Sequence, residues 1–383
     1  MTSKNNNTIY FPGLHALRFL AAICVLFGHI ELLKKYMELP NIYEVSFIKE
    51  SGRIAVTLFF VLSGFLISYL LFEEKKTQQS IQLKKFYIRR VLRIWPLYFL
   101  LVGLAFFVLP HISWFQFNSS WENNFTSNLV LFVCFLPQLA LSKYAPVPYG
   151  EPAWSIGVEE QFYLFWPLII KYSKSIFPWI LGISLFVIAC RNFFWYAYNH
   201  TGVGHDQQAN GVLYGFFYLN RLECMLIGAS FAWVLHKKKT RILNLLFHPM
   251  LRVVAYLSFI ALIIFLDSPI HNHMLHALIF GVLIINLSSN PKVFLQLEHP
   301  VLQKLGKISY GIYMLHEIAI VACIQLLLVF DFSPESKLFH TCLYVFAPLL
   351  TIAIASLSYR CLEKPFLKRK RKYQVVRTSD SLQ

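Results

Sequence analysis

The stretch LRFLAAICVLFGHI, Leu17 to Ile30, places an arginine and a histidine inside a run that is otherwise apolar. Arg18 and His29 are eleven residues apart. A helix turns about 100° per residue, so the two return to within about 20° of one face, separated by about 16 Å along the axis. Ionisable groups inside a membrane helix are costly and face a polar cavity or a partner. Taken singly, Arg18 reads as a snorkelling cation and His29 as an interfacial ring. Taken together, on one face, they suggest a polar path along this helix. His29 is the best general base in the chain for a hydroxyl nucleophile near neutral pH, or alternatively a nucleophile that carries a transferred group.

Three further groups have chemical potential. KKFYIRRVLRIWP holds Arg89, Arg90 and Arg93 at the start of an apolar segment. Arg90 and Arg93 share a helical face, and a helix N-terminus adds free N–H groups and a positive dipole end. This is a phosphate site, unless the arginines only anchor the helix. EPAWSIGVEEQFYLFWP holds Glu159 and Glu160. Adjacent helical acids point about 100° apart, so one can face a cavity and orient His29 in the manner of a triad, or both can be structural. GKISYGIYMLHEI sets Tyr313 and His316 on one face. Arg221 and Glu223, in LNRLECMLIGA, read as structural ion-pair members. The cluster HNHMLH (His271, His273, His276) has no accompanying acid or cysteine, and no metal site is expected from it.

These residues need elements to hold them. Of 383 residues, 57% are hydrophobic and 14% charged, against about 25% charged in a soluble domain. Eleven apolar blocks stand near 14–33, 54–72, 91–109, 127–142, 153–170, 175–190, 211–235, 250–267, 273–289, 308–330 and 338–360. Strands of alternating polarity are not apparent, so the expected class is all-α, a polytopic transmembrane helix bundle. The net charge of +16 gathers at block ends, which orients helices in a membrane and argues against nucleic acid. With the basic loops inside, alternation works if the short 127–142 block does not cross. That gives ten spans with both termini cytoplasmic. Residues 1–365 then form one membrane domain and 366–383 a basic cytoplasmic tail. The polar start MTSKNNNTIYFPG does not look like a signal peptide. The seven cysteines show no paired spacing and read as small buried hydrophobes.

Six segments occur in order: LHALRFLAAICVLFGHI, TLFFVLSGFLIS, FYIRRVLRIWPLY, WSIGVEEQFYLFWPL, LGKISYGIYMLHE and LSYRCLEKP. Together they resemble the acyltransferase-3 family of integral membrane acyltransferases, from about Phe11 to Pro365. The resemblance implies acyl transfer, often acetyl from acetyl-CoA, to a carbohydrate hydroxyl. It places the family's Arg-x10-His motif on Arg18 and His29, with His29 catalytic. Its Arg-x-x-Arg motif falls on Arg90 and Arg93, the donor contacts, and its Glu-Glu segment on Glu159 and Glu160. Ser63, Trp154, Tyr313 and His316 fall in the resembling segments as further cavity candidates. His15 stands where many members carry an acid. The expected partners are the bilayer, acyl-CoA as co-substrate and a cell-surface or lipid-linked carbohydrate. No bound cofactor is expected, and the expected location is a bacterial cytoplasmic membrane. A small-molecule acceptor such as a macrolide, or a transporter or flippase, are the competing readings.

Overall fold

The computed structural model describes residues 8–117, 120–201, 204–264, 273–292 and 297–376. Among them are sixteen α-helices and no β-sheet. The helices are α1 (Leu14–Tyr36), α2 (Ser46–Gln78), α3 (Leu83–Gly103), α4 (Phe125–Val133), α5 (Pro137–Lys143), α6 (Ala153–Tyr172), α7 (Phe177–His200) and α8 (His205–Leu219). They continue as α9 (Leu222–His236), α10 (Thr240–Leu246), α11 (Pro249–Ile264), α12 (His273–Ser289), α13 (Pro300–Lys307), α14 (Ser309–Val329), α15 (Lys337–Ser358) and α16 (Lys364–Lys370). Among the described residues, by length and composition, six helices are apolar enough to cross a membrane, or seven if the bent pair α10–α11 counts as one span.

Within the described residues the apolar blocks of the sequence are helical, but two are broken. The 127–142 block becomes α4 and α5, nine and seven residues long. Phe135 between them takes φ 58° and stacks on Tyr98 with ring centroids 4.5 Å apart. At about 1.5 Å per residue, neither helix alone covers the ~30 Å hydrocarbon core. The 211–235 block, read as one span, divides at Asn220 and Arg221 into α8 and α9. The reason is polar. Asn220 Nδ2 donates to Gln161 Oε1 at 2.9 Å. The fully buried Arg221 donates to the Arg53 carbonyl at 3.1 Å and to Thr57 Oγ1 at 3.2 Å. Leaving the helix for two residues lets both side chains reach partners that a straight helix denies them. Glu223 pairs with Arg191 of α7 at 3.1 Å rather than with Arg221.

The core is built around α1, α2, α9, α12 and α14, with α15 packed on α14. The closest crossing is α2 on α9. A Cβ added at Gly64 would lie 1.9 Å from the Met225 carbonyl oxygen, and one at Gly228 would lie 2.2 Å from that of Val61. Small residues at a helix crossing let two backbones touch, which is how membrane helices gain packing without a hydrophobic drive between them. By contrast α7 buries only Val187 and turns Leu181, Leu185, Phe186 and Phe193 outward, as a lipid-facing helix does. Helix α15 does not stop where its apolar block does. It runs through a π-helical turn (Tyr359–Glu363), α16 and a 3-10 turn as one helical run from Lys337 to Tyr373.

Candidate active site

Helix α1 is continuous from Leu14 to Tyr36, so the eleven-residue interval from Arg18 to His29 is helical throughout. Arg18 lines a cavity of about 200 Å³. Arg90 and Arg93 enter it from α3, Ser63 and Phe59 from α2, Glu159 and Tyr163 from α6, and Tyr310 and Tyr313 from α14. The guanidiniums expected to act together therefore do converge. Arg90 stacks over the rings of Phe86 and Tyr163, at 5.7 and 5.6 Å, and its buried Nε has no hydrogen-bond partner among the described residues. An unpaired guanidinium donor on a residue that lines the cavity suits an anionic ligand. Arg89 is used differently. It donates to Glu74 Oε2 at 3.1 Å and to the Tyr373 carbonyl at 2.8 Å. His15 also lines the cavity.

The two adjacent acids point apart, as helical geometry requires. Glu159 accepts from Ser63 Oγ and from Tyr163 Oη, each at 2.8 Å, and faces the arginine cavity. Glu160 turns to Trp95 Nε1 at 3.4 Å. Neither is the acid on His29. That acid is Glu317 of α14, whose Oε1 lies 2.9 Å from His29 Nδ1. Glu317 is 2% exposed and is the sole acid in its helix. A carboxylate accepts only, so Nδ1 carries the proton and Nε2 keeps its lone pair. This is the tautomer a general base needs. The His29 side chain retains 21% exposure, while that of Glu317 keeps 3%. The imidazole is reachable and the acid that holds it is not.

His316 completes the local group. Its ring centroid is 4.7 Å from that of His29, at 65°. Its Nδ1 donates to the Tyr313 carbonyl at 2.7 Å, which leaves a buried Nε2 without a partner among the described residues. Tyr313 Oη and Ser155 Oγ lie 2.8 Å apart at the edge of the cavity. Tyr313 thus touches the cavity on one side and, through His316, the His29 pair on the other. Trp154 stands apart from the cavity, edge-on to Phe60 and under the Arg221 guanidinium. Outside the spans, burial and the neighbouring Glu317 push Glu151 up to about 7, against the pull of His29 and Arg53.

His29, His316 and Glu317 offer ligand atoms within 4.8 Å of one another. Two histidines and a carboxylate suit zinc in principle. The 2.9 Å contact of His29 Nδ1 with Glu317 fits a hydrogen bond better, since two atoms bound to one tetrahedral ion stand roughly 3.3 Å apart. In the other histidine cluster, His271 lies outside the described residues, and His273 and His276 are buried in α12.

Sequence comparison agrees with this geometry. The family model described as an acyltransferase domain, Acyl_transf_3, matches residues 11–360. The chain is 26% identical to the peptidoglycan O-acetyltransferase OatA of Listeria monocytogenes serovar 1/2a, over 94% of this chain and 56% of that protein. It is 27% identical to the O-acetyltransferase OatA of Staphylococcus aureus strain MRSA252, over 96% of this chain and 60% of that one. A putative O-acetyltransferase of S. aureus strain COL is 26% identical, over 96% and 59%. The chain thus spans less than two thirds of the length of these curated relatives. No solved structure matches it. A match over nearly the whole chain, on the segments that carry the arginine cavity and the histidine–glutamate pair, places this chain in the acyltransferase-3 family.

Proposed function

We propose that this chain is a multi-pass enzyme of the bacterial cytoplasmic membrane. It transfers an acyl group, acetyl in the simplest case, from acyl-CoA to a hydroxyl of a cell-surface or lipid-linked carbohydrate. The bilayer is crossed ten times with both termini cytoplasmic, which puts Arg18, Arg90 and Arg93 at the inner side and His29 toward the outer half. The donor's phosphates sit against the three arginines, and its thioester arm extends past Phe59, Ser155 and Tyr313 toward His29. The acceptor hydroxyl approaches His29 Nε2. The imidazole takes the hydroxyl proton as the oxygen attacks the thioester carbon. Glu317 holds the imidazolium that forms. The tetrahedral intermediate collapses, the C–S bond breaks, and the CoA thiolate leaves and takes up the proton.

One observation carries this reading: a buried carboxylate fixes the tautomer of a reachable histidine beside a cavity that gathers three guanidiniums. A carbohydrate acceptor is supported by the printed name of the Listeria relative, which acts on peptidoglycan. The test is acyl transfer from labelled acyl-CoA to a cell-wall carbohydrate acceptor by the purified full chain. Wild-type protein is expected to turn over, and His29→Ala to lose transfer while remaining folded and membrane-inserted. Full activity of His29→Ala would refute the assignment. Movement of carbohydrate across vesicles without acylation would favour a transporter instead.

A further inference from the structure

We infer that the segment following the last span is a wall of the donor site, with Lys370 as a fourth cation on a phosphate of the donor. This rests on the acyl-CoA reading above. Lys370 lies beyond the residues that match the family, which end at 360, yet it lines the same cavity as Arg18, Arg90 and Arg93.

The geometry explains how a basic tail is held there. The helical run from Lys337 to Tyr373 is 37 residues long. At about 1.5 Å per residue it is roughly 55 Å, well beyond a ~30 Å hydrocarbon core, so its last turns project into the headgroup and aqueous region. There α16 and the following 3-10 turn pack on α3, the helix that supplies Arg90 and Arg93. Arg89 fastens the contact. One of its amino groups donates to the Tyr373 carbonyl at 2.8 Å, the other to the buried Glu74 at 3.1 Å. Glu74 is itself fixed by the Gln82 backbone N–H at 2.8 Å. Of three neighbouring arginines, two face the cavity and the third ties down the segment that brings Lys370 to it. The neighbouring cations Lys368, Arg369, Arg371 and Lys372 are exposed. Their ordinary role is attraction to anionic headgroups. Lys370 is distinguished from them by its place in the cavity wall.

The shared chemistry is a phosphate, which a lipid headgroup and CoA both carry, so the test separates the two. Binding of CoA and of pantetheine, which lacks phosphate, is measured on the full-length protein in zwitterionic detergent without anionic lipid. Lys370→Gln is expected to weaken CoA about tenfold, the scale of one charge-assisted hydrogen bond, and to leave pantetheine unchanged. Lys370→Arg should restore CoA binding, and Lys368→Gln, which removes the same charge outside the cavity, should match wild type. Unchanged CoA binding by Lys370→Gln overturns the inference. So does an equal loss with pantetheine, which is a structural effect, or with Lys368→Gln, which is a general charge effect. Failure of wild-type protein to bind CoA would instead refute the donor reading itself, and this inference with it.

Discussion

At the scale of the residue, the account divides two kinds of work between two carboxylates. Glu317 holds His29, and Glu159 holds Ser63 and Tyr163 in the wall of the arginine cavity. Their kinetic signatures should therefore differ. Glu317→Gln keeps the shape but weakens the hold on the imidazolium, and general-base assistance is worth about 10²–10⁴-fold. We expect kcat to fall within that range with little change in KM for the donor. Glu159→Gln should act mainly on donor KM. Steady-state kinetics on both variants checks this, and a kcat loss confined to Glu159→Gln would reverse the roles. Because the His29–Glu317 contact is a hydrogen bond and not a shared ion, chelators should leave transfer unchanged. Activity lost with a chelator and restored by zinc would make the three-residue cluster a metal centre. Arg18 and His29 stand out in the sequence because an ionisable residue in an apolar helix announces itself, and Arg90 and Arg93 because they share a face at the start of an apolar segment. Glu317 carried the same signal, as the one acid within Ser309–Val329. Its partner lies 288 residues away, and no spacing rule reaches that far. The acids at Glu159 and Glu160 were the more conspicuous pair and attracted the role.

At the scale of the element, what positions this chemistry is the crossing of helices at close range. His29 and Glu317 meet because α1 packs on α14, and α1 is held by α2, which in turn locks onto α9 through Gly64 and Gly228. Gly64→Ala would drive a methyl group into the Met225 carbonyl. Overpacking of this kind costs about 1–3 kcal/mol, so thermal unfolding in detergent should begin at a lower temperature than in wild type. Stability equal to wild type would mean that the two helices are not in contact. Hydropathy places the long apolar helices but not the short α10, α13 and α16, which lie outside the apolar blocks. Nor does it place the breaks, since a break at Asn220 and Arg221 depends on Gln161, Arg53 and Thr57 in other helices. Hydropathy sees a continuous apolar run there and has no access to the partners that make leaving it worthwhile.

At the scale of the whole molecule, the proposed function needs a path from one side of a membrane to the other. In the proposed reaction, an anionic donor is gathered by arginines at one end of α1, and a proton is taken by a histidine about three turns further along. The distribution of lysine and arginine favours the arginine end facing the cytoplasm, and an alkaline phosphatase fused after Gln383 should be inactive in cells. An active fusion would invert the path. The cavity reaches Tyr313 and Ser155, and His316 joins Tyr313 to His29, so the arginine cavity and the His29–Glu317 pair are separate but adjoining. The most direct test of the central claim is a double-mutant cycle on acyl transfer by the purified chain, using His29→Gln, Glu317→Gln and the pair. If Glu317 acts only through His29, removing both costs no more than removing His29 alone, because residues that act as a unit are not additive. Losses that multiply, or a His29→Gln variant that turns over at the wild-type rate, would contradict it.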